Sequence, residues 1–325
     1  MKHLYSERLA GLLASIDRFI DAELRPLENE GDNRRFFDHR REYARTDWSR
    51  DGRPSEAWEA LLGEARRRAR DAGFLALALP FAYGGGDASN LEMAVIREHL
   101  AARGLGLHCD LQNEHCIVGN FPTTLAFRDF GTDAQREAFT PGTIDGSVAV
   151  AFGLTEPEHG SDATWLEPRA EPCERDGRAG WLLNGEKMWT TGAHIATHIL
   201  IFARFEGEPG SARGIGCFIM PADAEGFSIE EWLWTFNMPT DHPRVRLTDV
   251  WLPQDPVLGD PQFGLAIAQH FVHENRIRQA ASSLGTARYC IDESVRHAKE
   301  RHPFGKPLAD NQSIQFRLAE LHGEY

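Results

Sequence analysis

The chain has 325 residues, 42% hydrophobic and 26% charged, and its 35 Lys and Arg against 49 Asp and Glu leave a net charge of −14. That length accommodates two or three domains with cores of their own, and the composition is that of a globular protein. So acidic a balance excludes nucleic-acid binding through a general positive field, and an anionic ligand needs a local basic patch.

The stretch from Met1 to Leu24 is amphipathic and carries acids, without the basic start, apolar centre and small-residue cleavage site of a secretory signal. No apolar run approaches the roughly 18 residues that span a bilayer. The expectation is a cytoplasmic protein, bacterial in type, with no membrane partner. Five cysteines in no repeated spacing, Cys109, Cys116, Cys173, Cys217 and Cys290, read as free thiols in a reducing compartment. His108-Cys109 and His115-Cys116 offer metal-ligand types, but their spacing matches no zinc motif, and no metal is expected.

Leu9, Leu12, Leu13, Ile16, Phe19, Ile20 and Leu24 share one helical face, and Pro26 is expected to end that helix. Residues 31–53 are polar and read as a loop. Pro54 is expected to open a second helix carrying Trp58, Leu61, Leu62 and Ala65, closed by Gly73. Ser89 with Glu92, and Thr132 with Gln135, form capping boxes ahead of further helices. Near residue 147 the pattern becomes β-rich. Val148–Phe152 is a short apolar run, and Trp181–Leu183 and Glu186–Trp189 flank Asn184-Gly185, a hairpin signal. His198–Phe205, Gly214–Met220 and Val245–Leu252 read as strands. From Gly264 a long helix is expected to run towards Arg301, stopped by Pro303, and Asn311–Tyr325 starts another.

Three segments carry chemistry. Phe152-Gly-Leu-Thr-Glu-Pro-Glu-His-Gly-Ser-Asp162 follows an apolar strand, and its small and hydroxyl residues let backbone amides approach a ring edge or a pyrophosphate; taken alone it also reads as a strand-ending turn. Leu183 to Gly192 holds Trp189, either a core residue or a surface for stacking, beside Thr190 and Thr191. Glu300 to Leu308, followed by Gln312 and Phe316, reads as a helix end with Arg301 compensating the dipole.

Together these segments resemble the acyl-CoA dehydrogenase family. Thr155 to Asp162 matches its Thr-Glu-Pro-x-x-Gly-Ser-Asp signature, Asn184 to Trp189 its Asn-Gly-x-Lys-x-Trp pattern, and Arg301 to Leu308 with Gln312 its Arg-x-x-Phe-Gly-x-Pro-Leu and Gln pattern. Pro80 to Gly86 resembles its Pro-x-x-Tyr-Gly-Gly turn. The resemblance implies an α+β fold: an N-terminal helical domain (1–146), a middle antiparallel β-barrel or sandwich (147–262) and a C-terminal helical bundle (263–325) of which the chain holds about two helices.

It also implies FAD as cofactor and an acyl-CoA thioester as substrate, with fatty-acid metabolism as the setting. A carboxylate takes the α-proton and the β-hydrogen leaves as hydride to the flavin, giving the trans-2-enoyl-CoA. Electron-transfer flavoprotein is the implied acceptor, and a homodimer or homotetramer the implied assembly. Phe152, Leu154, Thr155, Gly160 and Ser161 would contact FAD, Ser161 also the thioester side. Trp189, Thr190 and Thr191 would meet the flavin ring. Arg301, Phe304 and Gln312 would reach FAD across a subunit boundary, and Arg276 would lie near the CoA portion, where a planar fork of donors suits phosphate.

Most members of the family carry the catalytic glutamate in a later helix, past the position of Tyr325. A minority place it on the long helix at the position of Asn275, so Glu274 is the candidate base here. Phe236 to Pro243 also departs from the family's usual turn and leaves the acyl preference open. The competing expectations are an acyl-CoA oxidase or other flavin oxidase on the same fold, a catalytically inert FAD- or acyl-CoA-binding protein, and a structural protein without cofactor.

Overall fold

The computed structural model describes residues 5–109, 116–119, 121–235, 241–253 and 255–325 (for His39 and Glu42, the backbone only). His115 and Phe236–Thr240, both singled out above, lie outside the described residues. In chain order the elements are α1 (Glu7–Phe19), a π-turn (Ile20–Leu24), α2 (Arg25–Asn29), the short strands β1 (Thr46–Asp47) and β2 (Arg53–Pro54), α3 (Glu56–Asp71), α4 (Asn90–Ala101), α5 (Pro122–Phe130) and α6 (Asp133–Asp145). Then follow β3 (Val150–Gly153), β4 (Arg169–Arg175), β5 (Arg178–Lys187), β6 (His198–Arg204), β7 (Ile215–Pro221), β8 (Phe227–Trp232), β9 (Pro243–Pro253) and β10 (Val257–Leu258). Helices α7 (Gly264–Glu300) and α8 (Gln312–Glu324) complete the order. The chain is thus α, then β, then α, an α+β fold. Among the described residues, no helix is long and apolar enough to cross a membrane.

The residues form two compact units. One comprises Met1–Asp38, Leu61–Asn120 and Asn275–Tyr325, the other His39–Ala60 and Phe121–Glu274. In the first, Leu9, Leu13, Ile16, Phe19, Ile20 and Leu24 are buried, as the helical spacing predicts. Pro26, however, does not end the helix. A wide π-turn, in which the Arg25 amide bonds to the Ile20 carbonyl, precedes it, and Pro26 sits in the first turn of α2. There its missing amide has no obligatory partner. Both capping boxes form, Ser89 with Glu92 on α4 and Thr132 with Gln135 on α6.

The second unit is built on one curled sheet, in the order β10-β7-β6-β4-β5-β9-β8, with β3 beside β6. Its ladders are antiparallel except β3 against β6 and the single pair Arg169 with Arg204. Strands β6 and β7 are buried on both faces. Ile199, Ile201, Ala203, Phe218 and Met220 fill one cluster with residues of β5 and β9. Leu200, Phe202, Ile215, Cys217 and Ile219 fill the other with Ala126 and Phe127 of α5 and Ile267 and Ala268 of α7. The continuous apolar runs follow from this double burial, and each fully buried Phe or Ile contributes about 1.5–3 kcal/mol.

Three expectations are corrected. Asn184-Gly185 is not a hairpin turn: β5 runs straight through it, and the pair marks a bulge against β9. The turn lies instead at Asp176-Gly177 between β4 and β5, where both residues adopt positive φ (51° and 71°) and Arg175 pairs with Arg178. That is the backbone a tight two-residue hairpin requires. Pro54 belongs to β2, opposite Thr46, and the helix starts after Ser55, whose hydroxyl accepts from the Trp58 amide at 3.3 Å. Residues 31–53, expected as a loop, contain 3₁₀ turns at Asn33–Phe37, at His39–Arg45 with a kink at Arg41, and at Trp48–Arg50.

Candidate functional site

Strand β3 leaves the sheet at Gly153, and the chain then turns through Leu154–Asp162. The Glu156 amide donates to the His159 carbonyl at 2.9 Å and closes the turn. Asp162 caps the short helix that follows by accepting from the Thr164 amide at 3.1 Å. Three bonds fasten this turn to the end of β5. The Met188 amide donates to the Thr155 carbonyl at 2.8 Å. Lys187 Nζ donates to the Leu154 carbonyl at 3.1 Å and to Glu156 Oε1 at 2.6 Å. Glu156 Oε2 in turn accepts from the Glu167 amide at 2.9 Å.

Both members of this ion pair are buried, with side chains 0% (Lys187) and 4% (Glu156) exposed. Burial pulls the lysine down to about 8, against the opposing pull of Glu156. The two motif segments are therefore locked by a bridge whose partners both stand inside the motifs. Neither residue's place in the sequence reveals this pairing. A second fastening is Arg204, fully buried on β6, whose guanidinium donates to the carbonyls of Thr164 (2.6 Å), Ser211 (3.0 Å) and Arg213 (3.1 Å).

Beyond Lys187, Trp189 adopts φ 61° and stays 40% exposed. A left-handed backbone at a bulky aromatic costs on the order of 1–3 kcal/mol and persists only where its surroundings impose it. Here they do: the Thr190 amide donates to the Pro243 carbonyl at 3.1 Å and the Gly192 amide to the Asp241 carbonyl at 2.8 Å. The Thr190 hydroxyl is buried with no hydrogen-bond partner among the described residues. Thr191 Oγ1 lies 2.9 Å from Nδ1 of His242, a residue not foreseen from the sequence. Phe152 stacks flat on Phe271 of α7, ring centroids 4.0 Å apart and planes 7° apart.

The structure thus brings together Leu154, Thr155, Trp189, Thr190 and Thr191. Gly160 and Ser161 lie at the exposed end of the same turn, and among the described residues only a Thr155 methyl, at 3.9 Å, comes within 4 Å of a Cβ placed on Gly160. Glu274 is half-buried, one helical turn beyond Phe271. Arg276, Arg301, Phe304 and Gln312 belong to the other unit and are all exposed. There Phe304 adopts φ 55° inside a short 3₁₀ turn, and the Leu308 amide returns to the Arg301 carbonyl at 2.7 Å. Gln312 opens α8, whose N-cap is Asn311. Among the described residues, no group of three or more His, Cys, Asp or Glu is placed to hold a metal ion.

Comparison with known proteins agrees along the chain. Residues 32–147 match the acyl-CoA dehydrogenase N-terminal domain, 151–250 the middle domain and 262–325 the C-terminal domain. An acyl-CoA dehydrogenase, FadE12, of Mycobacterium tuberculosis is 33% identical over 78% of this chain, which spans 62% of that relative's length. A caffeyl-CoA reductase–Etf complex subunit, CarC, of Acetobacterium woodii is 30% identical over 77% of this chain and 63% of its own. A solved glutaryl-CoA dehydrogenase from Mycobacterium smegmatis, in complex with FADH2, shares the fold with a TM-score of 0.72 at 24% identity, over 98% of this chain and 72% of that one. With three consecutive domain matches and the signature turn fastened to the tryptophan strand, the chain belongs to the acyl-CoA dehydrogenase family.

Proposed function

We propose that the chain acts in the FAD-dependent α,β-dehydrogenation of an acyl-CoA thioester, with electrons passing to an electron-transfer flavoprotein. The observation that carries this reading is the fastening of the Thr155–Asp162 turn to Trp189–Thr191 by Lys187, Glu156 and the Met188 amide. The residues fit a flavin: an exposed indole held by strained backbone offers a face for a planar ring, the buried Thr190 hydroxyl lacks a partner among the described residues, and Gly160 leaves room for close approach. FAD, when bound, supplies the acceptor for the hydride. The relative named as part of an Etf complex supports the electron partner.

This chain's own residues do the rest. Trp189, Thr190 and Thr191 orient the ring, and the apolar stack of Phe152 on Phe271 excludes water beside it. Glu274, half-buried beyond that stack, is assigned as the carboxylate that takes the α-proton. An apolar acyl chain lying over it would keep water from the carboxylate and hold it against the α-carbon. Arg276 and Arg301 are assigned to phosphate groups of the CoA ester and of FAD, each through a fork of donors.

The test is to purify the chain with FAD and titrate it anaerobically with a panel of acyl-CoA esters, following the visible flavin band. Bleaching with one ester, lost in Glu274→Gln, is the expected result. Bound flavin that no ester bleaches would make the chain a cofactor-binding protein without the base. Hydrogen peroxide release in air would mark an oxidase, and no retained flavin would overturn the reading.

A further inference from the structure

Behind α4 the chain forms an isolated antiparallel bridge that faces one cysteine with another. Cys109 pairs with Cys116, and Cys109 is separately paired with Gly106. The backbone around the bridge is fixed. Gly106 and Cys109 exchange amide-to-carbonyl bonds at 3.1 and 3.2 Å, and the Ile117 amide donates to the His108 carbonyl at 3.3 Å. The Leu107 amide donates to Glu28 Oε1 at 2.7 Å.

The Ile117–His108 bond identifies the type of pair. It joins the residue after Cys116 to the residue before Cys109, so the two cysteines occupy a non-hydrogen-bonded position. In such a pair the α-carbons approach to about 4.5 Å and the facing side chains project to the same side. That separation lies within the span of about 4.4–6.8 Å over which a disulfide closes. Both side chains are buried thiols, Cys109 0% and Cys116 8% exposed.

We propose that Cys109 and Cys116 form a reversible disulfide, a thiol–disulfide site in the helical unit independent of the flavin chemistry. The oxidant is a small disulfide of the glutathione class. The Cys116 thiolate, the more accessible, attacks one sulfur of glutathione disulfide and releases one glutathione thiolate. The Cys109 thiolate then attacks the Cys116 sulfur, forms the protein disulfide and releases the second glutathione. Two electrons pass from the cysteine pair to the two glutathiones, which take up the two protons the cysteines lose. A bridge already held by the backbone bonds above favours the closed form in the folded chain.

The test uses the full chain in glutathione buffers of graded ratio. The sample is acid-quenched, thiols are alkylated and trypsin is added. The peptide Gly104–Arg128 contains both cysteines and none of the other three, so it reports the bond by mass. The expected result is a peptide lighter by two hydrogens and carrying no alkyl group, restored by dithiothreitol. In the folded chain it should reach half-oxidation at a glutathione ratio about tenfold more reducing than in urea, because preorganised thiols close more favourably. Cys173→Ser with Cys290→Ser should leave the bond intact. A peptide that takes two alkyl groups throughout, a mixed disulfide with glutathione as end product, or a folded chain oxidised no more readily than the unfolded one would each overturn the proposal. Wild-type protein carries the decisive readout, so no variant needs to fold for it to fail.

Discussion

Replacing Lys187 by Met removes the cation of a pair whose side chains are 0% and 4% exposed, and leaves Glu156 buried without its counter-charge. Removing one partner of a buried pair costs about 3–5 kcal/mol, most of it the stranded charge. The Leu154 carbonyl also loses a charged donor at 3.1 Å, within a loss of about 1.5–3 kcal/mol for such bonds. These losses share one cause and do not add, so the expected destabilisation is about 4 kcal/mol. Urea unfolding at neutral pH measures it. The double variant Glu156→Gln with Lys187→Met should recover most of the loss, since two neutral side chains of similar size no longer bury a charge. A Lys187→Met loss below about 1 kcal/mol, or a double variant as unstable as the single one, would refute the view that this pair locks the two segments.

Stability should also fall on acidification through His108, which burial, reinforced by Arg103 and Arg25, pushes down to about 4. The unfolded chain binds this proton first, so the contribution is present above about pH 6.5 and is lost down to about pH 4, worth about 3 kcal/mol, and urea midpoints in His108→Gln should lose that part of the slope. Gly177→Ala, at φ 71° in the β4–β5 turn, should cost about 1–2 kcal/mol by thermal unfolding. Gly185→Ala should cost more, about 3 kcal/mol, because its Cβ would meet Pro168 at 2.6 Å. Phe271→Ala should cost about 2 kcal/mol through the lost stack on Phe152, and should raise the quenching of flavin fluorescence by added iodide if that stack keeps water from the ring.

The features legible in the sequence are those written in a local code. Ser89 with Glu92 and Thr132 with Gln135 satisfy helix-end amides within four residues, whatever lies elsewhere, and both boxes form where the spacing predicts them. Strands β6 and β7 were legible because double burial makes them continuously apolar. Strands β4 and β8 were not: their residues alternate with exposed Glu and Arg, a pattern shared with loops. Asn184-Gly185 was misread because its turn preference is local, whereas its ladder with β9 is set by partners about sixty residues away. At the site, the motif strings were visible, but what joins them was not. Glu156 and Lys187 stand 31 residues apart, and Thr191 and His242 stand 51 apart. Only the folded sheet brings such pairs within reach.

The π-turn at Ile20–Leu24 gives the first helical run one residue more than a regular winding would hold over the same rise. Deleting a single residue there would restore the tighter winding, but it would also drive the Pro26 ring towards a carbonyl one turn back, where a proline collides. The extra residue and the proline are therefore coupled. Shortening this segment is tolerable only if position 26 changes with it, while replacing Pro26 alone frees the helix to slide by one residue and turn Leu24 and Leu27 out of the core they now fill.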